Sequence, residues 1–316
     1  MSTLLITGAS GFVGTALCRQ AQSTGRAVRA AVRTAGAAAR NVPSVTVPSI
    51  DGQTPWADAL QGCDSVIHAA ARVHVMNESA TDPLSEFRRV NVDGTLNLAR
   101  QAAAAGVRRF VFVSSIKVNG EATQAQRPFL ASDMPAPQDP YGVSKAEAEQ
   151  GLRQVAEQTG LEVTIVRPPL VYGPGVKANF GSLLRAVQRG LPLPLGAVRH
   201  NRRSLVALDN LIDLLLTCVD HPAAAHQTFL VSDGEDLSTT ALIQRMGQAM
   251  GRPARLLPVP VFLLHLGATV LGKRDMAQRV LGNLQVNIDH TRATLGWSPP
   301  ITVEEGLRRA APKVPS

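Results

Sequence analysis

The sequence contains few cysteines and few aromatic residues. Its three cysteines, Cys18, Cys63 and Cys218, lie far apart and form neither a metal-binding spacing nor a disulfide framework. We therefore expect no metal site and a reducing, cytoplasmic environment. Aromatic residues make up only 4% of the chain and are not interleaved with a basic cluster. Surfaces that stack nucleic-acid bases need that pattern, so we expect no nucleic-acid partner despite a net charge of +8.

The sequence also lacks a long hydrophobic run. Met1 leads directly into an apolar strand pattern, without the charged region and cleavage site of a leader peptide. The most apolar stretch, residues 256–271, contains two prolines and is too short to span a bilayer comfortably. We expect a buried helix there, with peripheral contact to a membrane or a partner as the alternative.

A glycine-rich turn stands between the first strand pattern and the first helix pattern. Its three glycines are spaced G-x-x-G-x-x-G, a variant of the dinucleotide-binding motif. Glycines let a pyrophosphate approach the helix N-terminus, where free N–H groups and the helix dipole favour negative charge. The predicted cofactor-binding residues here are Gly8, Ser10, Gly11, Phe12, Val13 and Gly14.

A second motif places a phenol and an ammonium four residues apart. Tyr141 and Lys145 begin a helix-forming stretch, so both side chains share one helical face. A nearby ammonium stabilises tyrosinate, and we therefore expect Lys145 to lower the pKa of Tyr141. Ser115 ends an apolar strand pattern upstream, where its hydroxyl can bind a substrate oxygen. We predict Ser115, Tyr141 and Lys145 as the catalytic residues.

Strand and helix patterns alternate through residue 170. The predicted strands are 3–7, 27–32, 45–47, 64–68, 109–114 and 161–167, with helices at 12–24, 84–105 and 141–159. This alternation predicts an α/β fold with a doubly wound, Rossmann-type parallel sheet. We assign residues 1–170 to a nucleotide-binding domain, which a strand and helix near 205–250 rejoin. Residues 171–316 would form a smaller, mainly C-terminal α/β substrate-binding domain.

Taken in order, these motifs resemble the extended short-chain dehydrogenase/reductase family, the NAD-dependent epimerases and dehydratases, in its nucleotide-sugar branch. Further matching segments are residues 64–71, 91–95, 167–175 and 201–211. The resemblance implies that Asp51 approaches the adenine, that Ala69, Ala70 and Ala71 line the cofactor, and that Asn91 and Pro168 lie beside it. It also implies contacts with a UDP-sugar substrate for Asn179, Leu193, Arg203 and Arg279. Lys117 either faces the same substrate or is an exposed loop lysine.

The sequence departs from the family at the end of the second strand. NAD-binding members place an acidic residue there on the ribose hydroxyls, whereas this chain has no carboxylate and instead carries Arg33. A guanidinium matches the geometry of a 2′-phosphate. We therefore expect NADP in preference to NAD.

Two further departures concern the reaction. Ile116 and Lys117 replace the Asp-Glu pair that sugar dehydratases use, which argues against dehydration. Asn119 stands where epimerases usually have tyrosine, and Leu170 replaces a polar residue of galactose-type epimerases. These features resemble UDP-N-acetylquinovosamine-type 4-ketoreductases of surface polysaccharide synthesis.

The preferred prediction is therefore reduction of a UDP-linked 4-keto-6-deoxy-N-acetylhexosamine. A UDP-hexose 4-epimerase is the main alternative, because the same catalytic residues serve both reactions. A small-molecule ketoreductase and a non-catalytic NADP sensor rank lower. We also expect a homodimer.

Overall fold

A computed structural model describes residues 3–39, 41–73, 82–176 and 178–312. Ten strands lie within these ranges: β1 (Thr3–Thr7), β2 (Ala27–Val32), β3 (Ser44–Thr46), β4 (Cys63–His68), β5 (Arg109–Val113), β6 (Glu162–Arg167), β7 (Leu170–Tyr172), β8 (Arg203–Ala207), β9 (Thr228–Leu230) and β10 (Asp236–Leu237). Seven form one sheet in the order β3-β2-β1-β4-β5-β6-β9, with every pairing parallel. The order 3-2-1-4-5-6 is that of the Rossmann fold, so the predicted fold class is confirmed.

The same ranges contain twelve α-helices: α1 (Phe12–Ser23), α2 (Ala57–Leu60), α3 (Pro83–Arg88), α4 (Gly94–Ala104), α5 (Pro140–Thr159), α6 (Ala178–Gln188), α7 (Leu208–Asp220), α8 (Thr239–Ala249), α9 (Val261–Val270), α10 (Arg274–Leu281), α11 (Asp289–Leu295) and α12 (Val303–Ala310). Two apolar cores cover the two faces of the large sheet. One contains residues of α1 and α7, and the other residues of α4 and α5. Parallel strands buried on both faces are apolar almost throughout, as in β1, where residues 4–7 are all buried.

The predicted helix 84–105 is interrupted in the structure. A π-helical segment, Arg89–Asp93, separates α3 from α4 and carries the buried Asn91. Gly94 then begins α4 where a Cβ would lie 2.7 Å from the Ile50 side chain. The π turn thus lets α4 pack closely on the loop after β3, and π turns of this kind are frequent at functional sites.

The C-terminal half forms a second, smaller layer. Strands β10, β8 and β7 make a three-stranded sheet, with β10 antiparallel and β7 parallel to β8. Side chains from α6, α8 and α12 form a third apolar core over it. Ser238 caps the N-terminus of α8, because its hydroxyl accepts a hydrogen bond from Ala241 N at 3.0 Å.

One prediction about this half is wrong. Helix α9, in the apolar stretch 256–271, is not buried: none of its side chains is in a core, and Phe262 is 68% exposed. Helix α9 packs on α10 instead of entering the third core. Across the described ranges, no helix is both long enough and apolar enough to cross a membrane.

Candidate active site

The glycine turn leaves room only for backbone. Gly8 has φ +65°, and a Cβ there would lie 2.8 Å from Ala70 N. A Cβ at Gly14 would lie 2.1 Å from the Gly8 carbonyl oxygen. Helix α1 begins at this turn with Gly11 as its N-cap, no capping side chain and no acidic residue in its first turn. The unpaired amides and the positive end of the helix dipole therefore suit a diphosphate.

The turn opens onto a cavity of about 860 Å³. A second cavity, of about 1010 Å³, lies on the α7 side of the same turn, but most residues predicted for the cofactor border the first. Tyr141, Lys145 and Pro168 do not border it. The described residues that border it include Gly8, Ser10, Gly11, Phe12, Val13, Gly14, Arg33, Ala69, Ala70 and Ala71. Their convergence on one cavity fits a dinucleotide.

Asp51 and Asn91, both predicted to contact the cofactor, do not border the cavity. Each forms hydrogen bonds that stabilise a segment of its wall. The Asp51 carboxylate accepts hydrogen bonds from Gln53 N at 3.0 Å and Thr54 Oγ1 at 3.1 Å, which lower its pKa. Its neighbour Ile50 borders the cavity instead. Asn91 accepts a hydrogen bond from Arg72 N at 2.8 Å and donates one to Ser144 Oγ at 3.0 Å. Asn91 thereby joins the cavity wall to the helix that carries Tyr141 and Lys145.

Helix α5 begins with the local signals that favour a helix start. The Asp139 carboxylate caps the helix by accepting a hydrogen bond from Gly142 N at 2.7 Å, and Pro140 occupies its first position. Tyr141 therefore lies in the first turn, with its ring edge-on to Phe87 at a centroid distance of 6.1 Å. One turn further on, Lys145 is buried, and its Nζ donates to the Val113 carbonyl oxygen at 2.8 Å.

The pKa values of the two residues differ from expectation. Burial raises the pKa of Tyr141, the Asp139 carboxylate raises it further, and a hydrogen bond with Ser115 lowers it. Burial lowers the pKa of Lys145 to about 7, because it disfavours the ammonium form. The expected lowering of the Tyr141 pKa by Lys145 is thus wrong for the chain alone. Tyr141 is a protonated donor at neutral pH.

A buried ionic network supports α5 from the side of the sheet. Glu149, one turn after Lys145, accepts from Arg167 Nε at 2.9 Å and Nη2 at 2.6 Å. It also accepts from Ser114 Oγ at 2.6 Å, while Arg167 Nη1 donates to Asn119 Oδ1 at 2.9 Å. The network fixes α5 against β5 and β6, and so positions the residues beside Ser115 and Lys145. Asn119, noted only as a departure from the family, has this role.

His68 is a second buried polar residue that sequence reasoning missed. Its ring contacts Thr7 Oγ1 at 2.7 Å and Thr95 Oγ1 at 3.0 Å. Burial, assisted by the Lys145 charge, lowers its pKa to about 3, so the imidazole is neutral. It joins β1, β4 and α4 behind the cavity wall. Its position at the end of a strand pattern was visible in the sequence, but its two hydroxyl partners were not.

Residues 4–232 match the family described as "NAD dependent epimerase/dehydratase family". The chain belongs to this family. A UDP-glucose 4-epimerase of Vibrio cholerae is 47% identical over 98% of this chain and 94% of its own. An N-acetyl-alpha-D-glucosaminyl-diphospho-ditrans,octacis-undecaprenol 4-epimerase of Escherichia coli O157:H7 is 27% identical over 97% of this chain and 93% of its own.

Among solved structures, the UDP-glucose 4-epimerase of Thermus thermophilus in complex with NAD has a TM-score of 0.77 at 22% identity, over 98% of this chain and 97% of its own. That likeness confirms the fold. Membership of the family makes the chain an enzyme that uses a nicotinamide dinucleotide, as predicted.

The residues that family resemblance assigned to the substrate are distributed over the C-terminal half and the loop before it. Lys117 forms ion pairs with Asp139 and, at 2.8 Å, with Glu121, so its charge is engaged by the loop that precedes α5. Asn179 is exposed in the first turn of α6. Leu193 pairs through its backbone with Arg255 and Leu257 at 2.9 and 2.8 Å. Pro168, which the resemblance assigned to the cofactor and not to the substrate, is buried, and its carbonyl oxygen accepts from Ile116 N at 3.0 Å.

The structure brings the two predicted phosphate arginines of this epimerase-family chain together. Arg203 begins β8 and its Nη1 donates to the Gly282 carbonyl oxygen at 3.2 Å. Gly282 directly follows α10, which carries the exposed Arg279. Burial and the Arg279 charge both lower the pKa of Arg203, while Glu121 raises it. Two cations held close together in this way form a suitable site for a diphosphate.

Proposed function

We propose that the protein is a UDP-hexose 4-epimerase. The observation that carries the proposal is the 47% identity, over 98% of the chain, with a protein named UDP-glucose 4-epimerase. This likeness favours the epimerase alternative over the 4-ketoreductase that the sequence alone suggested. The hydrogen bond between Ser115 and Tyr141 supports it, because each half of a 4-epimerisation moves a proton at the same sugar oxygen.

Ser115, Tyr141 and Lys145 have different roles in the reaction at the sugar O4. Ser115 hydrogen-bonds that oxygen and Tyr141, so that charge developing on it is stabilised where it forms. In the loaded enzyme Tyr141 would start as tyrosinate, which the positive charge of an oxidised nicotinamide would favour. It would take the O4 proton as the sugar is oxidised, and the phenol so formed would return that proton as the sugar is reduced. Lys145, one turn after Tyr141 in α5 and with a pKa of about 7, would hold the ribose of the nicotinamide.

The cofactor would occupy the 860 Å³ cavity between the glycine turn and residues 69–71. When bound, the nicotinamide supplies the redox chemistry by accepting a hydride from the sugar C4 and returning it. Gly8, Gly11 and Gly14 would admit its diphosphate, and Arg203 and Arg279 would hold the diphosphate of the UDP-sugar. Residues 1–170 would then form the cofactor domain, and most of residues 171–316 the substrate domain.

Reduction of a UDP-linked 4-keto sugar is the second candidate, because Arg33 borders the dinucleotide cavity. A guanidinium there favours NADPH, a cofactor that exchanges in each turnover of a reductase. Arg33→Ala should weaken NADPH binding about 10-fold or more, and NADH binding far less. Equal dissociation constants of the two cofactors in the unmutated protein would remove this candidate's support.

The test of the main proposal is direct. The purified protein is incubated with UDP-glucose or UDP-N-acetylglucosamine, without a 4-keto substrate, and the anomeric region is followed by NMR. Appearance of the C4 epimer supports the epimerase. Absence of the epimer from both sugars, together with NADPH consumption when a UDP-4-keto sugar is supplied, identifies the reductase.

We also infer a homodimer, and from the scattered cysteines a cytoplasmic location. Light scattering of the purified protein and fractionation of the producing cells test these two inferences.

A further inference from the structure

Helix α9 is an apolar surface that the proposed reaction does not use. Its exposed side chains include Phe262 at 68%, Leu266 at 60% and Val270 at 78%, followed by Leu271 at 70%. Single exposed apolar residues are ordinary on proteins, whereas a contiguous group marks a contact surface. We call Phe262, Leu263, Leu266, Val270 and Leu271 the α9 patch.

The helix presents this patch on its outer face. Phe262, Leu263, Leu266 and Val270 follow the spacing i, i+1, i+4, i+8, which places them within about a third of the helix circumference. Val261, Leu264 and Ala268 lie on the opposite side and are only partly exposed. The helix therefore rests on the protein with one apolar face and directs the other outward. Its ten residues span about 15 Å, half the thickness of a bilayer core.

The charges around the helix are almost all positive. Between residues 252 and 279 the sequence has five basic residues, Arg252, Arg255, Lys273, Arg274 and Arg279, against the single acid Asp275. Arg255 and Lys273 are exposed and flank the two ends of the apolar stretch. An apolar helix face bordered by Lys and Arg is the pattern of helices that lie in the interface of an anionic membrane.

We propose that the α9 patch docks the protein on an anionic lipid bilayer, with α9 lying in the plane of the interface. The apolar face enters the acyl boundary, while the flanking cations remain among the phosphate groups. Helix α10 follows α9 after a short turn and carries Arg279. Docking therefore holds the Arg203 and Arg279 side of the protein close to the lipid surface.

A second copy of the chain fits this surface less well. Two copies related by a two-fold axis would bring the same patch together, and with it the flanking Arg255 and Lys273 of each chain. Like charges brought together at such a contact are repulsive. Anionic lipid headgroups neutralise those charges, so the charge pattern favours the bilayer.

The test measures co-sedimentation of the full-length protein with two kinds of vesicle. One contains equal parts of phosphatidylglycerol and phosphatidylcholine, and the other only phosphatidylcholine. We expect binding to the anionic vesicles that weakens as salt is raised. The double variant Phe262→Ser, Leu266→Ser should bind at least about tenfold less, because two large apolar side chains no longer enter the bilayer.

Two matched variants sharpen the result. Met134→Ser removes a side chain that is 86% exposed but lies outside the patch, and should bind vesicles like the unmutated protein. Lys273→Glu should reduce binding to anionic vesicles roughly tenfold. All three should unfold at the temperature of the parent, since none of the substituted side chains is buried.

The proposal is overturned if the unmutated protein fails to sediment with anionic vesicles at low salt, or if the double variant sediments as well as the parent. It is also overturned if light scattering finds a dimer that the double variant dissociates while neither protein binds vesicles. That last result would assign the α9 patch to a contact between copies.

Discussion

Helices α5 and α9 show opposite relations between sequence and packing. Helix α5 is polar on average in its sequence yet buries nine residues, among them Lys145 and Glu149. Helix α9 is almost entirely apolar and buries none. Composition alone would predict that α9 is buried and that α5 is exposed. The difference teaches that a buried helix can be held by paired charges and hydrogen bonds, while an apolar helix can be kept at the surface for a contact outside the chain.

The surroundings of α5 and those of β8 and α10 should respond differently to mutation. Around α5 the polar groups are fixed by buried partners, so loss of one group alters the chemistry or the stability. Around β8 and α10 the arginines lie at a more open edge, so loss of one should alter substrate binding.

The largest effect is expected at the phenols, and the chain has only two tyrosines. Tyr141→Phe should lower kcat by about 10²–10⁴-fold, because it removes the group that exchanges a proton with the substrate. Tyr172 donates to Asp233 Oδ2 at 2.7 Å in the C-terminal layer. Tyr172→Phe should therefore reduce stability by about 1–3 kcal/mol while leaving kcat near that of the parent. Steady-state kinetics and thermal unfolding of both variants check this, and equal kcat values would contradict the role of Tyr141.

The next largest effect concerns the buried ion pair. Arg167→Met leaves the Glu149 carboxylate buried without its main partner, and should lower the free energy of unfolding by about 3–5 kcal/mol. Arg245 forms ion pairs with Glu235 and Glu304 at the surface, and Arg245→Met should cost only about 0–1 kcal/mol. Denaturant unfolding gives both values. If the two variants lose the same stability, the network is not what holds α5.

Arg203 tests the substrate side. Arg203→Ala should raise KM for the UDP-sugar by about 10-fold or more, with a smaller change in kcat, because a phosphate contact is present in substrate and transition state alike. Arg202 is the neighbouring exposed arginine, bonded to the carbonyl oxygens of Arg199 and Asn201, and Arg202→Ala is the control. Calorimetry with UDP provides an independent readout. Unchanged UDP affinity in Arg203→Ala would place the diphosphate elsewhere.

The smallest effect is a pH dependence of stability. The pKa of Lys145 is about 7 in the folded chain against an ordinary value of 10.5. Between these values the unfolded chain binds more protons than the folded chain, so Lys145 makes the free energy of unfolding rise with pH, by at most about 1.4 kcal/mol per pH unit. Lys145→Met should lose this rise. Urea unfolding of the cofactor-free protein at several pH values between 7 and 10 checks it, and parallel pH profiles for the two proteins would be inconsistent with a neutralised Lys145.

Local sequence signals predicted the parts of the fold that depend on neighbouring residues. Strands β1, β2 and β4 followed from apolar runs and the glycine turn from its spacing. The π turn at Asn91 could not be read from the sequence, because it depends on how closely Gly94 approaches Ile50 in the folded chain.

In the candidate site, too, local sequence signals were predictable, whereas contacts between distant segments were not. Tyr141, Lys145 and Ser115 were recognisable because two of them share one helix face and the third ends a strand. The partners of Glu149 were hidden, since Ser114 and Arg167 come from separate segments. The exposure of α9 was missed because apolar content predicts burial only when a second surface of the same chain covers it.

The most direct test of the proposed reaction uses UDP-glucose labelled with deuterium at C4 of the sugar, in ordinary water. If hydrogen leaves C4 as hydride and returns to it, the epimer should keep the deuterium at C4, and turnover should be slower than with unlabelled substrate. Tyr141→Phe should form little epimer of either kind. Formation of an epimer whose C4 deuterium has been exchanged for solvent hydrogen would contradict the account, because it would show that C4 loses a proton instead of a hydride.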